Sequence, residues 1–312
     1  MRAPTGDQYP LSLLQDGRRV TAVVTQVAAG IRELAVDGVA LVESFPESST
    51  PPGAAGIVLV PWPNRVAGGR WMLDGAVQQL DLTEPKQDNA IHGLLRYTPY
   101  RLLAHDEHRV HQTATVYPQH GYPFLLETSV EHELTADGLI VRHAVRNDSV
   151  EAAPVAVGAH PYLRVGDVPA DELTLTVDAT TRFLTDDKQI PVSEEAVSGT
   201  DFDLTLGRRV GDLTVDHGFG GVRVSPADGR SVQSLEAPDG RRVELWADQN
   251  FGFVQVFTPA AFAAPEGPRR AVAIEPMTAP ANAFNTGEGL RWLAPGETWT
   301  MEWGIRLVVP TA

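Results

Sequence analysis

The chain has 312 residues, a formal net charge of −15 and no cysteine. Disulfides, thiolate nucleophiles and cysteine-based zinc or iron–sulfur sites are therefore excluded. The spread-out acidic charge disfavours nucleic acid and anionic membrane surfaces as partners, while a neutral small molecule would be indifferent to it.

No apolar run reaches the roughly 18–20 residues that a membrane-spanning helix needs. The opening stretch MRAPTGDQYPLSLLQDG lacks the continuous apolar segment of a secretory signal, which favours a cytoplasmic address. Along the chain, Gly and Pro total 52 residues and punctuate nearly every gap between candidate strands. The Gly/Pro-rich segment Pro46–Gly56 is expected to be a loop within a domain, not a linker.

Next come PWPNRVAGGRW (Pro61–Trp71) and NAIHGLLR (Asn89–Arg96), each combining polar groups with loop-shaping Gly or Pro. His105, His108 and His111 recur every three residues, a spacing that alternates between the faces of a strand and predicts a solvated edge, not a metal site. GLIVRHAVRN (Gly138–Asn147), ELTLTVD (Glu172–Asp178), FVQVFTP (Phe253–Pro259) and TWTMEWGIRL (Thr298–Leu307) show the period-2 alternation of half-buried strands. PVSEEAV (Pro191–Val197) reads as a short helix, and GFGGV (Gly218–Val222) as a glycine-rich turn that Asp216 and His217 precede. The pattern predicts an all-β fold: one large antiparallel β-sandwich domain spanning residues 1–312.

Two residues stand out chemically. His160 in VGAHPYL ends an uncharged run and precedes a proline, and Glu275 is the only charge between Arg270 and Glu288. On residue type alone, His160 fits either a hydrogen-bonded structural histidine or a general acid/base. Glu275 fits either a buried carboxylate paired with an arginine or a base whose apolar flanks raise its pKa. His92, Asp216 and Arg65 each suit a turn or surface role as well as a ligand contact. No P-loop, dinucleotide fingerprint or nucleophile elbow is present, so nothing calls for a cofactor.

Taken in order, N-R with following glycines, N-x-x-H-G, H-P-Y, the Asp of D-H, V-Q before a strand end, and E-P with a proline-rich loop and L-x-P-G-E resemble the aldose 1-epimerase (galactose mutarotase) family. The likeness runs from Pro61 to Glu297, about three-quarters of the chain. It implies a galactose mutarotase-like supersandwich with the site in a cleft on one sheet, and a mutarotase acting on a free aldose without metal or cofactor. It further implies Glu275 as general base, His160 as general acid, and Asn64, Arg65, His92, Asp216 and Gln255 as sugar-binding residues, in a monomer or homodimer. That chemistry would want Glu275 ionised and His160 protonated at rest.

Better-known galactose mutarotases tend to carry an Asp after the second proline of the loop, where this chain reads Pro280-Ala281-Asn282; H-P-Y-L also replaces the commoner H-P-Y-F. These departures leave the sugar open. The alternatives are a non-catalytic sugar-binding module and an epimerase for phosphorylated or sulfonated sugars, for which Arg70, Arg96 and Arg164 are candidate cations.

Overall fold

The alternation in Thr298–Leu307 has a direct structural counterpart. In the computed structural model, which describes residues 2–310, Trp299, Met301, Trp303, Ile305 and Leu307 are buried, whereas Thr300 is exposed and Glu302 and Arg306 are half-buried. Strand Thr298–Val308 is the centre of a nine-stranded antiparallel sheet, flanked by Gly138–Asn147 and Arg242–Asp248. Leu126–Thr135, Arg109–Val116 and the exposed edge Arg101–His105 continue it on one side. Arg230–Glu236, Thr174–Val177 and Arg208–Arg209 continue it on the other. The N-terminal strands from Gln8 to Ala40 form a separate four-stranded sheet that packs on Leu126–Thr135 and Gly138–Asn147.

The site is built on an eight-stranded sheet. Its main path runs Pro191–Ala196, Thr181–Thr185, Asp216–Gly220, Phe253–Phe257, Val272–Met277, Gly158–Ala159, Val58–Leu59; Tyr162–Leu163 also pairs with Val272–Met277. One contiguous apolar core joins the inner faces of the sheets, including Val254, Val256 and Ile274 from this sheet and Val243, Leu245 and Ile305 from the larger one. Truncating such a side chain, as in Ile274→Ala, costs on the order of 2–5 kcal/mol through lost burial and the cavity left behind.

Strand Val272–Met277 is buried at all six positions. Val272 and Ile274 enter the core cluster, while Ala273 and Glu275 point to the other face. A strand covered on both faces reads as a continuous apolar run, which explains why the segment around Glu275 lacks alternation.

Two expectations are corrected here. Pro191–Ala196 is an edge strand, not a helix. The glutamates that suggest a helical face serve as cross-strand partners instead: Glu195 accepts from Arg182 Nε at 2.6 Å, and Glu194 accepts from Thr181. Asp216–Gly220 is likewise a strand, with the turn beginning only at Gly221 (φ 59°). Gly218 lies opposite Gln255, and a Cβ there would come within 3.1 Å of the Phe183 ring and 3.3 Å of Gln255 Oε1. The glycine thus marks a close approach inside a strand, not a turn. Among the described residues, α-helix is confined to the single turn Ala283–Thr286.

Candidate functional site

Three neighbouring strands set out the floor of the site by register. Gln255 lies directly opposite Glu275 on one side and Gly218 on the other. Asp216, two residues from Gly218, therefore projects from the same face. His160 follows strand Gly158–Ala159 and reaches Glu275, with Nε2 3.3 Å from Oε1. Opposite them, the loops carrying Asn64 and His92 meet where the His92 amide donates to the Asn64 carbonyl at 2.8 Å. Both residues have left-handed backbone, φ 54° and 64°. Gly93 follows at φ 73°, where a Cβ would lie 2.1 Å from the Val60 carbonyl oxygen, so the motif's glycine is required twice over.

The result is a cavity of about 270 Å³ lined by Asn64, Arg65, His92, His160, Asp216, Gln255 and Glu275, together with Ile91, Gln189 and Phe257. All seven residues singled out in the sequence thus share one cavity. Of the other arginines considered there, Arg70 is held on an outer hairpin by Gln79, and Arg164 bonds the Gly166 carbonyl beside Glu43. Arg96 lies nearer: its charge is felt by both His92 and His160. Its guanidinium stacks on Tyr97 at 4.7 Å and has no carboxylate partner among the described residues.

A chain of hydrogen bonds orders the polar wall. Arg65 donates through Nε and Nη2 to both oxygens of Glu84 (2.7 and 2.9 Å), and through Nη1 to Asn64 Oδ1 at 3.3 Å. Asn64 Nδ2 donates to Gln255 Oε1 at 3.2 Å, and Gln255 Nε2 donates to Asp216 Oδ1 at 2.8 Å. An arginine at one end can only donate and a carboxylate at the other can only accept, so the orientation of both amides follows.

Burial dominates the electrostatics. Glu275 is 2% exposed and His160 5%. Desolvation, reinforced by the Asp216 charge, pushes the Glu275 carboxyl well above its ordinary range, with Arg65 opposing. Desolvation, then the Arg96 and Arg65 charges, pulls His160 down to about 4 against a local backbone hydrogen bond. His92, whose ring packs edge-on to that of His160 at 5.4 Å, is also pulled far down by burial and by His160. The expected charged resting pair is therefore corrected: removal from water favours an uncharged carboxylic acid beside a neutral imidazole. The two descriptions hold the same single proton and differ by its transfer across the 3.3 Å contact.

Sequence reasoning missed several contributors. Phe257 was legible, since it lies two residues from Gln255 on the same strand face. Glu84 and Gln189 carry no local signal, because each joins the site through a loop packed from elsewhere. Tyr162 stacks on His160 at 5.1 Å, and its hydroxyl donates to the Gly53 carbonyl at 3.3 Å. Past Glu275, Asn282 docks the loop on the opposite wall, its amide donating to the Arg65 carbonyl at 2.6 Å. Ala281, where the loop departs from the better-known pattern, lines a small recess next to the main cavity.

The aldose 1-epimerase family model matches residues 10–306. The chain belongs to the aldose 1-epimerase family. Within it, this aldose 1-epimerase family member is 32% identical to the protein YihR of Escherichia coli (strain K12) over 278 residues, covering 88% of this chain and 86% of the relative. Among solved structures, the GalM/aldose epimerase homologue from C. elegans superposes with a TM-score of 0.82 at 17% identity, covering 97% of this chain and 99% of that one. Galactose 1-epimerase from Lactobacillus acidophilus NCFM gives a TM-score of 0.74 at 19% identity, covering 97% and 98%. At these identities the structures establish the shared sandwich fold. No helix among the described residues of this family member is long and apolar enough to cross a membrane.

Proposed function

We propose that the protein is a mutarotase that interconverts the α and β anomers of a free aldose by acid/base-catalysed ring opening and closing. The observation that carries this reading is the buried His160–Glu275 contact of 3.3 Å, facing a cavity whose other polar groups are arranged as fixed donors and acceptors. The cavity volume of about 270 Å³ falls just below the roughly 300–1,000 Å³ range of ligand pockets, a size suited to one small sugar ring.

Opening the ring requires removal of the O1 hydroxyl proton and delivery of a proton to the ring oxygen. The C1–ring oxygen bond breaks as C1 and O1 become the aldehyde. Glu275 takes the O1 proton and His160 protonates the ring oxygen; the charged form of the pair is reached when sugar hydroxyls supply the solvation that burial removed. Rotation about C1–C2 presents the other carbonyl face, and the same groups run backwards to close the ring. Asn64, Arg65, His92, Asp216 and Gln255 hold the hydroxyls. General acid and base terms of roughly 10²–10⁴-fold each suit a reaction that already proceeds in water.

A second reading, an aldose bearing a sulfonate or phosphate, is favoured by the uncompensated Arg96 charge next to His92 and His160. Polarimetry of freshly dissolved α-glucose, α-galactose, xylose, arabinose and a sulfonated hexose tests both. Acceleration proportional to protein concentration is expected for at least one neutral aldose. Acceleration of the sulfonated hexose alone would support the second reading. Sugar binding with rotation at the uncatalysed rate throughout would make the protein a binding module.

A further inference from the structure

Gln189 was drawn into the site by nothing in the sequence, yet it lines both the main cavity and the adjoining recess. Its Oε1 is buried and has no hydrogen-bond partner among the described residues. An unsatisfied buried acceptor is costly, and native structures retain one mainly where a ligand or water completes it. The residue sits in the tight turn between strands Thr181–Thr185 and Pro191–Ala196, with left-handed backbone at φ 60°.

The turn is fixed from several sides. Asp186 Oδ1 accepts from the amides of Lys188 and Ile190, both at 2.9 Å. The Gln189 amide donates to the Asp186 carbonyl at 2.9 Å, and the Asp186 amide donates to the Ile190 carbonyl at 3.0 Å. Across the cavity mouth, the buried Asn89 donates through Nδ2 to the Lys188 carbonyl at 2.8 Å, and Lys188 Nζ meets Asp88 at 2.8 Å. Asn89 begins the short strand that leads to His92. A loop tied down at its own base and to the opposite wall holds an unusual backbone conformation in place, as sites with stored local strain do.

We propose that Gln189 is a further substrate-binding residue, its Oε1 accepting a hydrogen bond from one sugar hydroxyl. The inference rests on the reading of the cavity as a monosaccharide site. Gln189 is the one lining group that reaches the sugar from the hairpin turn, a different direction from the strand floor and the Asn64–His92 loops. It therefore selects for the presence and direction of one hydroxyl.

The test compares wild type with Gln189→Met, which keeps the side-chain length and removes the acceptor. NMR titration with 1,5-anhydro-D-glucitol and 1,5-anhydro-D-galactitol, which cannot mutarotate, reads binding apart from catalysis. The tighter of the two is expected to bind roughly 5- to 30-fold more weakly to the variant, with the melting temperature unchanged. Across singly deoxygenated derivatives of that sugar, one is expected to bind weakly to wild type and to suffer no further loss in Gln189→Met, which identifies the hydroxyl. Unchanged affinity in Gln189→Met, or penalties that multiply for every deoxy derivative, overturns the proposal. Loss of Gln189-dependent binding in a protein that accelerates no aldose would instead refute the mutarotase reading and leave this contact standing.

Discussion

Replacing Glu275 by glutamine separates chemistry from architecture. Among the described residues only one carboxylate oxygen has a polar partner: Oε1 meets His160, while Oε2 is buried without one. An amide of the same shape therefore breaks no second hydrogen bond, and the Gln255 register and the surrounding strand stay as they are. What disappears is the proton acceptor, which is expected to lower kcat by about 10²–10⁴-fold, or roughly 2.7–5.4 kcal/mol of barrier. Stability should move the other way. The folded-state pKa of Glu275 is raised above its unfolded value, so the folded protein is disfavoured as pH rises above the ordinary glutamate range. Glu275→Gln removes that burden, and its melting temperature should exceed that of wild type near neutral pH, the gap closing as pH falls towards about 4.5. Polarimetry of α-galactose or α-glucose and thermal melts across pH read both quantities. A variant keeping more than about a tenth of wild-type kcat, or one destabilised at neutral pH and unchanged in acid, would refute the reasoning.

Because the pair works with one proton between its members, the acid limb of the wild-type pH–rate profile should lie near 4, set by the depressed His160, and not near 6.5. His160→Asn should lower kcat by roughly 10²–10⁴-fold; a wild-type limb centred near 6.5 would contradict the assigned burial effect. Glu84→Ala leaves Arg65 without its two-pronged anchor and should raise KM by about 5- to 30-fold while sparing kcat, as steady-state exchange NMR would show. His132 and His143 are buried in the core away from the site, each drawn down to about 3 chiefly by desolvation, and both ring nitrogens of His132 lack partners among the described residues. Each group's stabilising effect is complete above about pH 6.5 and is lost as pH falls towards 3, so His132→Leu should gain on wild type by about 2 kcal/mol at pH 5 relative to pH 8 in urea denaturation.

The parts of this fold written in the chain are those where one face is wet. Thr298–Val308 and Gly138–Asn147 alternate because core and solvent alternate along them, and the strand assignment follows. Pro191–Ala196 misleads because it is an edge strand with little core contact, so its glutamates look helical until Arg182 and Thr181 are placed opposite them. At the site, residues embedded in short Gly- and Pro-bearing segments were recognisable, as Asn64, His92, His160 and Glu275 illustrate. Glu84 and Gln189 were not, since their role depends on which loops the sandwich brings face to face. The protonation of the Glu275–His160 pair was equally hidden: charge pairing can be guessed from residue types, but the extent of burial cannot.

The doubly covered strand Val272–Met277 makes register itself a determinant of activity. Along it, Val272 and Ile274 face the main core while Ala273 and Glu275 face the other side, where Glu275 lines the cavity, so a shift by one residue would swap Ile274 with Glu275. Such a slip would bring an aliphatic group to the cavity beside His160 and drive a carboxyl among Val254, Val256 and Ile305. An insertion or deletion at the hairpin tip Ala264–Gly267 meets solvent, whereas one within the strand would displace Glu275 from the cavity and disrupt the core together. The neighbouring strand of the sheet, paired residue for residue through Gln255, acts as the ruler that keeps the carboxyl on the cavity's side.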